Sequence, residues 1–141
     1  MRVPVIDFER FLQLNRARDD NDGMQRTTVV KMDIEGSEFT VLPQLTTGTT
    51  LCSAVDSLSV EFHASYAPIA YMKNGAITTL DTVAEAEAAE AEIRRAISHE
   101  IAIFPKGAQA GSCRLKKLLN LDDESYVDDR NPIQLHDPTP T

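Results

Sequence analysis

Val30-Lys31-Met32-Asp33-Ile34-Glu35-Gly36-Ser37-Glu38-Phe39 decides how this chain is read. Residues 27–34 (TTVVKMDI) are β-branched and mostly apolar, the pattern of a strand covered on both faces in a parallel sheet. Lys31 interrupts the run, but its aliphatic stem can lie along the sheet while the amine reaches water. Gly36 permits a tight turn, Ser37 suits an N-cap, and Phe39, Val41, Leu42 and Leu45 have the spacing of a short helix. Pro43 inside that helix is expected to kink or shorten it. The result is a buried strand that runs into an acidic turn and then a helix, and open α/β sheets place their chemistry at such strand ends.

Further along, residues 55–62 (VDSLSVEF) alternate as a second strand, with His63 at its end. Consecutive parallel strands joined by one crossover usually lie side by side. That pairing would bring Asp33 and Glu35 close to Glu61 and His63. Around this pair, Asp7 caps a helix expected to run to about Leu14, and residues 16–26 (RARDDNDGMQR) read as a surface loop. Residues 64–75 read as a loop, and residues 80–99 as the longest helix, starting at Thr79 or Asp81 and carrying a Glu90–Arg94 pair. Residues 100–104 and 113–121 are expected to be two strands joined as a hairpin, and residues 130–141 a flexible tail. Strands alternating with helices define an α/β class.

The bulk numbers fit one domain of 141 residues, with a net charge of -8 and a pI near 4.8. An acidic chain is poorly suited to nucleic acid, because phosphate binding needs a basic face. No apolar run approaches the ~20 residues of a membrane span. Cys52 and Cys113, without metal-ligand spacing, read as two free thiols in a reducing compartment, slightly favouring the cytoplasm.

The segment Lys31-Met32-Asp33-Ile34-Glu35-Gly36-Ser37-Glu38 resembles the K-[IVM]-D-[IV]-E-G-x-E motif of FkbM-type methyltransferases. Val3-Pro4-Val5-Ile6-Asp7 with Phe11-Leu12, the apolar Val41-Leu42 and Leu45, and Ser59-Val60-Glu61-Phe62-His63 are similar to that family's flanking segments, and Leu121-Asp122-Asp123-Glu124-Ser125-Tyr126 resembles a stretch near the C-terminus of some members. The resemblance implies a class I, Rossmann-like three-layer sheet, with residues 27–34 as the fourth strand, residues 58–62 as the fifth, and a C-terminal antiparallel hairpin. It also implies S-adenosylmethionine as methyl donor and a small-molecule or glycan hydroxyl as acceptor.

The glycines at 23, 36, 48, 75, 107 and 111 never form G-x-G-x-G after a strand. The expectation is therefore a partial methyltransferase domain over residues 1–129 that lacks the N-terminal, glycine-rich donor-binding half and is of doubtful activity alone. Its first strand would keep an open edge able to self-associate.

Under this reading Asp33, Glu35 and His63 are catalytic; Asp33, Glu35 and Gly36 contact the donor; Glu61 and Tyr66 contact the substrate; and no metal is assigned. Simpler roles stand beside these: a turn-capping Asp33, Glu35 favouring a helix N-terminus, a backbone role for Gly36, a first-turn helix acid at Glu38, and structural roles for His63, Glu61 and Tyr66. Two other functions stay open, a non-catalytic interaction module and a metal-dependent hydrolase using Asp33, Glu35 and His63.

Overall fold

The computed structural model describes residues 6–23, 26–104, 113–115 and 118–120. Helix α1 spans Phe8–Asp22, strand β1 Val29–Met32, helix α2 Glu38–Thr47, helix α3 Thr50–Ala54 and strand β2 Ser57–Val60. A 3-10 turn at Ala64–Tyr66 leads to β3 (Ile69–Lys73) and β4 (Ala76–Leu80), then to α4 (Val83–Ile103) and β5 (Leu118–Asn120). The fold is mixed α/β, with a three-stranded sheet ordered β1-β2-β5 and a separate β3-β4 pair. Among the described residues no helix is long and apolar enough to cross a membrane.

Strands β1 and β2 form within the stretches expected from the sequence and pair in parallel, Val30 opposite Leu58 and Met32 opposite Val60. Their burial differs from the expectation of two covered faces. Val30 and Met32 are buried, whereas Val29 and Lys31 are exposed, so β1 is a half-buried strand. Its inward residues join Leu58, Val60, Phe39, Leu42, Leu45, Ile93 and Ile97 in one core. Among the described residues β1 has a partner on one side only. That unpaired edge lies next to the exposed Val29.

Three local expectations need correction. Helix α1 does not stop at Leu14 but continues to Asp22, because nothing in the polar run breaks a helix before Gly23, which closes it at φ 64°. Residues 64–75 are not all loop: Asn74 and Gly75, at φ 51° and 78°, form the tight turn between β3 and β4. An Asn-Gly pair is a strong hairpin signal. Ser37 makes no side-chain cap for α2, and Pro43 does not end that helix, which runs on to Thr47.

The predicted C-terminal hairpin is also overturned. Thr82 and Glu85 form a reciprocal capping box at the start of α4. The buried stripe Ala86, Ala89, Ile93 and Ile97 then continues to Glu100, so residues 100–103 stay helical. A strand that follows a helical crossover returns in parallel, and Leu118–Asn120 pairs in parallel with β2. The linking loop, the 121–126 stretch, residues 3–5 and the expected tail at 130–141 lie outside the described residues.

The cysteines are not free thiols. Cys52 on α3 and Cys113 form a disulfide across 61 positions of sequence. Both are buried in the core, and the backbone N–H of Arg114 donates to the Cys52 carbonyl at 2.8 Å. Arg114 also reaches the Asp56 carboxylate at 2.8 Å and the Arg26 carbonyl at 3.0 Å. Two isolated cysteines look unrelated in sequence, and only the packing of α3 beside the returning chain brings them together.

Candidate active site at the strand ends

The β1 chain leaves the sheet at Asp33 and turns through Glu35 and Gly36, both at positive φ (56° and 93°). At 93° the backbone of residue 36 lies where L side chains are strained, which accounts for the glycine. Glu38 holds the turn together. Its side chain is fully buried. Oε1 accepts from the Ile34 N–H at 2.7 Å and Oε2 from the Gly36 N–H at 2.8 Å. The acid that sequence reading places in a first helical turn is therefore the clamp of the acidic turn. The clue was available as spacing, since an acid four residues after Ile34 and two after Gly36 can fold back onto both amides.

The adjoining strand extends this frame. Past β2, the Glu61 N–H donates to the Met32 carbonyl at 3.0 Å, which continues the pairing and sets the position of residues 61–63. His63 Nδ1 lies 3.1 Å from Glu38 Oε1. With an acceptor oxygen there, the Nδ1–H donates a hydrogen bond to Glu38, which leaves Nε2 directed at the strand end. Nε2 faces Asp33 Oδ1 at 3.6 Å, Glu35 Oε2 at 3.6 Å and Glu61 Oε1 at 3.8 Å. The imidazole is nearly buried, at 11% exposure, while Asp33 and Glu35 are 39% and 66% exposed. Tyr66 packs its ring against His63, with centroids 5.0 Å apart, and the neighbouring Glu35 carboxylate raises its pKa above the usual tyrosine value.

The structure thus gathers Asp33, Glu35, Glu61, His63 and Tyr66 at one sheet end. Gly36 adjoins them, but its N–H is taken by Glu38 and its Cα faces Ile69. Asp33, Glu61 and His63 each offer a ligand atom within 4.8 Å of one another, a set able to hold a cation. In that set Glu38 would orient the ligating ring from behind, as carboxylates commonly do for metal-bound histidines.

Burial alone would lower the His63 pKa. The Glu38 hydrogen bond and the fields of Glu38, Glu35 and Glu61 outweigh it, and the net shift is upward from 6.5. A raised histidine pKa contributes stability that is fully present below the unfolded value and is lost as pH rises through the folded value. In an NMR titration the His63 ring is expected to titrate above 6.5, and Glu61→Gln, which removes one of the facing charges, to move that midpoint down. A midpoint at or below 6.5 in the unmodified chain would contradict the geometry.

Comparison with protein-family models, with curated proteins and with solved structures finds no match for this chain.

Proposed function

We propose that this strand end is the acceptor-side half of an S-adenosylmethionine-dependent methyl-transfer site of FkbM type, acting on a hydroxyl group, within a partial class I fold. The observation that carries the reading is the Glu38–His63 pair. A buried carboxylate fixes Nδ1 and leaves Nε2 directed at an acid-lined strand end. The motif around Asp33 and the parallel β1-β2 neighbours give it further support.

The residues also fit the donor in charge, because three carboxylates converge where a fixed positive charge would be favoured. When bound, the donor supplies an electrophilic methyl on a cationic sulfonium. Asp33 and Glu35 would accept hydrogen bonds from hydroxyl and amino groups of donor and acceptor, and Tyr66 packs against the His63 ring. His63 Nε2 takes the proton of the attacking hydroxyl, and Glu38 stabilises the resulting imidazolium. Asp33, Glu35 and Glu61 would hold a cation whose charge offsets part of the field that raises the His63 pKa, which favours the neutral ring a base requires. Gly36 contributes the turn conformation rather than a free N–H.

The test joins a donor-binding half ahead of Met1 and measures labelled methyl transfer to a panel of hydroxyl acceptors. His63→Gln is expected to lower kcat roughly 100- to 10,000-fold, with donor affinity little changed. Undiminished transfer in both His63→Gln and Asp33→Ala would sink the reading.

A second reading is favoured by the cation-ready set Asp33, Glu61 and His63. In it the site is a metal-dependent hydrolase, with Glu61 in the ligand position that sequence reading gave to Glu35. Hydrolysis that requires a divalent cation and stops on chelation would select it.

A further inference from the structure

Away from the strand ends, the C-terminal turns of α2 and α4 border a cavity of ≈ 400 Å³. Thr46 and Thr47 come from α2, and Ala96, Ile103 and Phe104 from α4 and its end. A helix C-terminus carries a partial negative charge, usually offset by a basic residue in the last turn. Neither helix has one there. Among the described residues the lining contains no lysine or arginine, and its one basic side chain is the exposed His99.

Glu100 also lines the cavity and is only 8% exposed. Its Oε1 accepts from the Cys52 N–H at 3.3 Å, while its buried Oε2 has no hydrogen-bond partner among the described residues. A buried carboxylate oxygen without a donor is costly, and burial raises the Glu100 pKa accordingly. The Thr46 and Thr47 hydroxyls already donate to the Pro43 carbonyl at 2.9 and 2.8 Å, so their oxygens keep lone pairs able to accept. Two negative helix ends, an unsatisfied carboxylate and accepting hydroxyls call for a cationic donor, while Ala96, Ile103 and Phe104 offer an apolar wall.

We propose that this cavity binds a small primary amine with an apolar arm, its ammonium on Glu100 and its arm against Ile103 and Phe104. This site stands apart from the His63 cluster and does not depend on the methyl-transfer reading.

Calorimetry on the intact chain at neutral pH, with hexylamine, hexanol and hexanoate as probes, tests it. Hexylamine is expected to bind saturably, hexanol at least about tenfold more weakly, and hexanoate not at all. Glu100→Gln should weaken hexylamine by about tenfold or more. Ala96→Phe, a change at an exposed position that fills the cavity mouth, should abolish binding while thermal melting shows an intact fold. Should Glu100→Gln fail to fold, Ala96→Phe decides alone. Equal affinity for amine and alcohol, or binding that survives Ala96→Phe, would overturn the proposal. So would binding lost in Glu61→Gln, which would place the amine in the His63 cluster instead.

Discussion

Glu38→Ala is expected to lower the unfolding free energy by roughly 3–5 kcal/mol, read from the urea midpoint. The substitution leaves the Ile34 and Gly36 N–H groups without acceptors and strips His63 Nδ1 of its partner, all three bonds being made to a fully buried carboxylate. A buried donor left unsatisfied costs about 1–3 kcal/mol, and loss of one partner of a buried charged pair costs about 3–5 kcal/mol. The magnitude separates two readings of the residue. If Glu38 acted only as an acid in the first turn of α2, its loss would cost about 0.3–1 kcal/mol. The same variant should let the His63 ring reorient, and its NMR titration midpoint should fall from the raised value, since the first charge-assisted hydrogen bond holding the proton is gone. A loss below about 1 kcal/mol with an unchanged His63 titration would remove Glu38 from the centre of the site.

Glu38 marks the boundary of what the sequence discloses. The strand-turn-helix at residues 29–47, the parallel partner strand and the convergence of Asp33, Glu35, Glu61 and His63 are legible because each rests on local pattern plus one topological rule. The role of Glu38 is hidden because helix-start statistics and turn clamping place the same residue type at the same position. Only the three-dimensional course of the turn chooses between them. The missed β3-β4 hairpin has a different cause. Ile77 to Thr79 are exposed, so β4 lacks the alternating apolar face by which strands are recognised, and the Asn74-Gly75 turn was its strongest local sign. Residues 100–103 failed in the opposite direction. Their isoleucines resemble a strand, but Ile93, Ile97 and the preceding capped helix carry the 3.6-residue period through them. Local preference lost to tertiary burial in that case, as it does whenever an element's face is already committed to a core.

Cys113→Ser is expected to remove about 4 kcal/mol of stability, the chain-closure value for a loop of 61 residues. Small domains have only about 5–15 kcal/mol in total, so the urea midpoint should fall sharply. The unmodified chain should show the same fall when unfolded in dithiothreitol, and the variant should be indifferent to reductant. Free thiols would give no response in either experiment, which makes the reductant series the decisive one. The effect has a structural address. Cys113 is held to α3, Arg114 bonds Cys52 and Asp56, and Leu118–Asn120 follows as the third strand of the sheet. Without the cross-link, the described part of this last segment keeps its three-residue strand, the Arg114 bonds to Cys52, Asp56 and Arg26, and the buried Leu115. Amide exchange in β5 should therefore accelerate first, while β1 and β2 keep more of their protection. Because both sulfurs are buried, reduction of the folded chain should be slow and should track its opening. The structure replaces the two apparently free thiols with a buried disulfide, a bond that persists in oxidising surroundings.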